Sequence, residues 1–347
     1  MTQPFTCWTA EVGAADAARV GGKAAALGEL ARAGLPVPRG FVITTAAFLL
    51  HMDGVDPDGA ARGALGALAP DDLAGIARAA AGLRARVVGQ ALPPEVAAEI
   101  APACAALGDG PAAVRSSATL EDSAEASFAG LQDTYLAVRG TGAVLDRVRA
   151  CWASLYNDES IAYRRRQGTG EDGLAMGVVV QPMLDPRSAG VMFTRSPVTG
   201  DRSVVAIEGT WGLGSALVGG EVTPDSFTVS KVTGEITGRR VGVKLRVHSF
   251  TPNGQGISAT PMALPLRRTP CLTDDEVRAL ARLGRQVEDH YGAPQDIEWA
   301  LLGDSPGRFM LLQSRPETVW AARDRGPIAS PQAKASDHVL ARFSRGL

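Results

Sequence analysis

Near its C-terminal end the chain carries two runs, QDIEWAL at 295–301 and FMLLQSR at 309–315, that read as strands. A period of two marks a strand with one buried face. The loop between them, LGDSPGR, is short and rich in turn residues, so the strands pair antiparallel. That puts Asp296 and Glu298 on one face, Ile297 and Trp299 on the other, and lets Gln313 and Arg315 share a face. Pairing brings Glu298 opposite Leu312 or Gln313. A carboxylate beside an amide oxygen offers the hard ligands Mg²⁺ takes when it bridges phosphates, and an adjacent arginine suits forked binding of phosphate. An exposed polar strand face with one ion pair would produce the same pattern.

Upstream, the pattern changes along the chain. Gly21-Gly22 opens a helix with Ala26, Leu27, Leu30 and Ala31 on one face; Gly34 closes it, and Pro36 and Pro38 prevent its continuation. Phe41-Val42-Ile43 reads as a short buried strand, with Thr44 or Thr45 capping the next helix. Alanine-rich helices follow near 71–90 and 95–107. From Pro111 the texture turns to strand: 112–138 is a strand, a polar loop and a second strand. A helix near 141–156 follows, then strands near 176–183, 189–195 and 203–208, and a hairpin over 225–240 turning at Thr233-Gly234. The helix at 273–291 begins with a capping box, Thr273 and Glu276, and carries Val277, Leu280, Val287 and Tyr291 on one side. The sum is an α+β chain, helical in its first part and richer in strand in its second.

Composition excludes several classes. With 35 Lys+Arg against 37 Asp+Glu the net charge is −2, too balanced for a protein whose main partner is nucleic acid. Arg164-Arg165-Arg166, the one tight basic run, reads as a solvated helix face. No apolar run reaches the ~18 residues of a membrane span, and the N-terminus has no secretory pattern. Cys7, Cys104, Cys151 and Cys271 are scattered, which argues against zinc or redox pairs and fits a cytoplasmic protein. His51, His248, His290 and His338 are equally dispersed.

Three further segments carry candidate chemistry. Arg115–Thr134 leaves a strand through small, acidic and hydroxylated residues, whose backbone N–H groups suit an anion; a flexible surface loop has the same composition. Lys23 stands in the first turn of its helix, where the dipole disfavours a cation unless an anion lies nearby, although a solvated lysine fits too. Trp211-Gly212-Leu213-Gly214 is weaker, since such glycines also mark packing turns.

Together these segments resemble the N-terminal ATP-binding domain of the phosphoenolpyruvate synthase, pyruvate phosphate dikinase and rifampicin phosphotransferase family. The matching strings are GGKAAALGELARAGLPVPRGFVIT, AVRSSATLEDSAEASFAGLQDTYLAV, CWASLYNDESIAYR, VVVQPML, AGVMFTRSPVTG, EGTWGLGSALVGGEVTPD, DHYGAPQDIEW and LLQSRPET, in family order from about 20 to 320. The resemblance implies an ATP-grasp-like fold of two lobes, 1–195 and 196–322, with 323–347 a tail or partner-docking segment. It implies ATP and Mg²⁺ as cofactors, and Lys23, Arg115 and Arg315 as the phosphate-binding, catalytic cations. Gly130 to Thr134 would lie over the phosphates, and Gln181 and Met183 would line the adenine and ribose pocket. Glu298 and Gln313 would hold Mg²⁺ with Asp296 beside them, while Glu208 and Glu221 lie in matching segments, Glu208 being counted with the nucleotide site.

In the family this domain drives phosphorylation of a histidine on a swivelling carrier, releasing AMP and phosphate. No histidine here lies in a carrier-like loop, and the chain ends soon after RPET. The expectation is therefore a split enzyme whose partner is a separate histidine-carrying subunit that also binds the small-molecule acceptor. A counterpart with this split architecture, which the chain resembles, is the ATP-binding subunit of phenylphosphate synthase, with phenol as acceptor. The alternatives are the same chemistry on pyruvate, an antibiotic or another hydroxyl compound, or a regulatory nucleotide-binding module.

Overall fold

The computed structural model describes residues 3–119, 133–166, 170, 173–251, 256–303, 307–318 and 320. The segment 120–132, which includes Gly130, and the expected tail 323–347 lie outside the described residues. Two antiparallel sheets organise two lobes of a mixed α+β fold. The first has five strands in the order Thr6–Trp8, Phe41–Ile43, Met176–Pro182, Ala112–Ala118, Thr134–Val138. The second has six, in the order Arg308–Pro316, Gln295–Leu302, Ser188–Phe193, Val204–Trp211, Asp225–Ser230, Ile236–Arg240.

In the first lobe Phe41, Ile43, Val114, Val178 and Val180 leave one sheet face and meet helical side chains such as Phe48, Leu83 and Trp152. Burying such groups drives this lobe's collapse. Of the three arginines at 164–166, expected as a solvated face, only Arg166 is exposed. Arg164 is 1% exposed and donates to the Leu155 carbonyl at 2.7 Å, and Arg165 reaches the carbonyls of Leu65 and Leu68. Carbonyls left over at the ends of neighbouring segments absorb these charged donors. Thr44 does occupy the N-cap of helix Thr45–Val55, but its hydroxyl bonds to the Pro4 carbonyl and does not cap the helix.

In the second lobe, helix Asp274–Tyr291 lays Val277, Leu280 and Val287 against Val205, Ile207, Ile297 and Trp299. Its capping box is complete: the Glu276 N–H donates to Thr273 Oγ1, and the Thr273 N–H to Glu276 Oε2. The apolar alternates of the sheet thus face the helix, and the opposite face carries Asp296, Glu298 and Glu208. The register runs one row across that face: Gln313 opposite Glu298, then Val191, Glu208 and Ser226. Strand Ser188–Phe193, which a boundary at 195 assigns to the first lobe, is a central strand of the second sheet. Met192 is buried in the second core, so the strand needs that core, and the change of sheet falls after Pro182. A two-stranded hairpin, Arg246–Phe250 with Ile257–Pro261, was not anticipated.

Helix Gly22–Arg32 joins the lobes. Ala24 and Leu27 pack with Val42 and Val179, while Leu30 enters the second core and the Leu311 N–H donates to the Pro36 carbonyl beyond it. Among the described residues no helix is long and apolar enough to cross a membrane.

Candidate functional site

A cleft of about 320 Å³ opens between the two sheets. The first lobe contributes Pro38, Arg115, Thr134, Leu136, Gln181 and Met183; the second contributes Gly190, Gly214, Ser215, Glu298, Ala300 and Leu312. Strand alternation aims Arg115 into it, because the flanking Val114 and Ser116 are buried on the other face. The guanidinium spans the cleft. It donates to the Leu312 carbonyl at 2.7 Å, to Gln313 Oε1 at 2.9 Å and to Glu298 Oε2 at 3.2 Å. Glu298 and Gln313 are direct cross-strand partners, and a bulge between Glu298 and Trp299 brings the amide, not Leu312, opposite the carboxylate.

One step along the same face, Arg315 donates from Nε and Nη2 to Asp296 Oδ2 at 2.7 and 2.6 Å. Burial holds Asp296 above the ordinary carboxylate range; Arg315 pulls the other way, and Glu298 and Glu317 add to the rise.

At the other end, Gln181 is buried and its Nε2 donates to the Pro38 carbonyl at 3.1 Å. Met183 donates its N–H to the Pro111 carbonyl, and its sulfur accepts from the Ala137 N–H. Ala137 has φ +58, a left-handed conformation held beside the irregularity between Ala112 and Val114. Backbone strain of this kind collects at binding clefts. Thr134 pairs with Arg115 across the sheet and is exposed to the cleft.

Of the expected residues, Arg115, Thr134, Gln181, Met183 and Glu298 line the cleft, Asp296, Gln313 and Arg315 lie beside it on the Glu298 face of the strand pair, and Lys23 and Glu208 stand elsewhere. Lys23 is 5% exposed and donates to the Ser116 carbonyl at 2.7 Å, so it sits beside the strand that aims Arg115 and is not part of the cleft wall. Its helix is locked to that strand: Gly21 has φ +81, and a Cβ there would lie 1.8 Å from the Ser117 carbonyl oxygen. Glu208 lies two strands from Glu298 on the same face, outside the cleft lining. Sequence reasoning did not single out Leu136 or Ser215, though Ser215 directly follows the glycine-flanked stretch Trp211-Gly212-Leu213-Gly214.

Among the described residues no three His, Cys, Asp or Glu side chains cluster to hold a metal alone. The opposed Glu298 and Gln313 oxygens instead suit a hard cation that takes its other ligands from water and phosphate. The site therefore joins a forked cation, two oxygen donors and an apolar slot, which is the chemistry of a polyphosphate attached to a flat base.

Comparison with known proteins agrees with that geometry. Residues 17–336 match the family described as pyruvate phosphate dikinase, AMP/ATP-binding domain. The chain is 46% identical over 312 residues to rifampicin phosphotransferase of a Streptomyces species, covering 89% of this chain and 35% of that protein. It is 41% identical over 321 residues to the probable phosphoenolpyruvate synthase of Methanothermobacter thermautotrophicus, covering 91% and 46%. It is also 41% identical over 315 residues to the prodigiosin synthesizing transferase PigC of Serratia marcescens, covering 90% and 33%. The chain thus spans less than half the length of each of these relatives. It belongs to the pyruvate phosphate dikinase AMP/ATP-binding domain family.

Proposed function

We propose that the cleft binds ATP with Mg²⁺ and that the chain is the nucleotide-binding part of an ATP-dependent phosphotransferase with an ATP-grasp fold. The observation that carries this reading is the meeting of Arg115, from the first sheet, with Glu298 and Gln313, from the second. Arg115 and Arg315 hold phosphate oxygens, with Lys23 behind the Arg115 strand. Gln181 and Met183 line the base end, and Thr134 borders the phosphates. Glu298 and Gln313 hold Mg²⁺, with Asp296 alongside; when bound, the ion supplies positive charge to the phosphoryl oxygens. Such a transfer needs positioning and dispersed positive charge more than covalent help from this domain.

The nucleophile is a histidine on a carrier domain or subunit. Within the described residues His51 bonds to the Val87 carbonyl, His290 to Glu29 and His248 to Ser215 and Glu221. The carrier nitrogen attacks the β-phosphorus, the bond to the α–β bridging oxygen breaks, and AMP leaves. Water then removes the γ-phosphate, and the remaining phosphoryl group passes to an acceptor. Rifampicin phosphotransferase and phosphoenolpyruvate synthases among the relatives support pyruvate, an antibiotic or another hydroxyl compound ahead of phenol.

The test uses ATP labelled at the β-position, with the histidine carrier and pyruvate, rifampicin or phenol added in turn. Label in the phosphorylated acceptor with AMP accumulating supports the reading. Label retained in ADP overturns it.

A further inference from the structure

A chain of three polar side chains ends on the second-lobe wall of the cleft. Ser215 lines the cleft, its Oγ lies 2.9 Å from His248 Nδ1, and His248 Nε2 lies 3.2 Å from Glu221 Oε2. These residues come from helix Ser215–Val218, the turn after it, and the unforeseen hairpin. Gly212, at φ +71, makes their meeting possible: a Cβ there would lie 2.5 Å from the His248 carbonyl oxygen. In its absence the Leu213 N–H donates to that same oxygen at 2.9 Å. The Glu221 N–H closes onto the Ala216 carbonyl, turning the carboxylate back toward the histidine. His248 itself is 9% exposed.

The order of partners sets the polarity. A carboxylate only accepts, so in the neutral imidazole Nε2 carries the proton and donates to Glu221. Nδ1 is then a lone pair, and the Ser215 hydroxyl donates to it. The hydroxyl's single hydrogen is spent inside the wall, and only acceptor lone pairs face the cleft. An acceptor there disfavours a phosphate oxygen and suits a donor. With phosphates toward Arg115 and Glu298 and the base toward Gln181 and Met183, the donors left to a nucleotide are its ribose hydroxyls.

We infer that Ser215 accepts a hydrogen bond from a ribose hydroxyl, held in that polarity by His248 and Glu221, so that the cleft selects ribonucleotides over deoxyribonucleotides. The inference rests on the cleft being the ATP site. Ser215 is the binding group; His248 and Glu221 are positioning residues.

Titration calorimetry of the full chain with Mg·ATP, Mg·2′-dATP and Mg·3′-dATP tests it. At least one deoxynucleotide should bind on the order of tenfold more weakly than ATP, the worth of one hydrogen bond. Ser215→Ala should lower ATP affinity to the level of that analogue and erase the ratio. His248→Phe should also erase it, whereas His248→Asn, whose amide oxygen can still take the serine proton, should keep part of it. General damage to the fold would weaken all three ligands alike and leave the ratio standing. Equal affinity of the wild-type chain for all three, or an unchanged ratio in Ser215→Ala, overturns the inference. Equal loss in His248→Asn and His248→Phe overturns the positioning role. Absence of any ATP binding overturns the nucleotide reading itself, a result distinct from ATP binding without discrimination.

Discussion

Asp56 is 1% exposed, yet it is held ionised. Burial opposes its charge, but the N–H groups of Ala61 and Arg62 and the Arg62 guanidinium outweigh that and hold it below the ordinary aspartate range. Glu276 behaves alike: burial opposes ionisation, and Arg187 with the Thr273 N–H overcomes it. Both carboxyls are lowered in the folded state, so the stability they contribute is present above their unfolded values of about 4 and disappears as pH falls through the folded ones. Asp296 has the opposite sign: its carboxyl is raised, so its contribution is present below the unfolded value and is lost as pH rises through the folded one. Melting temperature followed downward from pH 7 should hold and then fall below about pH 4. Asp56→Asn should flatten that fall, and an unchanged acid slope would show that Asp56 does not titrate as described. Gly21 supplies a sharper test. Alanine there meets both the positive φ and the Ser117 carbonyl, so Gly21→Ala should cost roughly 3 kcal/mol or more in urea unfolding.

The helix Asp274–Tyr291 joins local and long-range stabilisation. Thr273→Ala removes one cap bond and should cost about 1 kcal/mol. Glu276→Ala also strands Arg187, whose Nη2 lies 2.7 Å from the lost carboxylate, and should cost roughly 3 kcal/mol. Denaturant midpoints of the two variants should keep that order, and equal losses would reduce Glu276 to a cap. The same helix shows why some elements were legible. Its capping box and apolar stripe are local, as is the alternation that put Glu298 opposite Leu312 or Gln313; the bulge that decides for Gln313 is not. Hairpin 246–261 was missed because RVHSF and ISATP are short and mostly half-exposed, with little alternation to read. Lys23 bonds to Ser116, 93 positions away, and Ser215 to His248, 33 away, so no local pattern could reveal either contact. Arg164 was misread for a related reason: only the fold brings the Leu155 carbonyl to it.

At the scale of the whole molecule the lobes are joined in two different ways. Behind the cleft, helix Gly22–Arg32 places apolar side chains in both cores, and His290 on the second lobe bonds to Glu29 at 2.9 Å. That joint is packed, and it sets the lobes' mean orientation. Across the mouth the tie is polar: Arg115 holds the Leu312 carbonyl, Glu298 and Gln313, the last two being the side chains proposed to hold the metal. A forked guanidinium can serve three acceptors from one plane, whereas a lysine ammonium is a single point on a flexible stem. Arg115→Ala should therefore leave the packed joint standing, with the melting temperature changed little, because Glu298 stays partly solvated at 35% side-chain exposure. AMP formation with the histidine carrier should nevertheless fall on the order of 10²–10³-fold, as for loss of one charge-stabilising donor. Arg115→Lys should recover little of it. The two variants are to be assayed for rate and for thermal unfolding on the same preparations. Near-normal turnover in Arg115→Ala would remove the arginine from the reaction. A fall in rate matched by a fall in melting temperature would make it a structural tie alone.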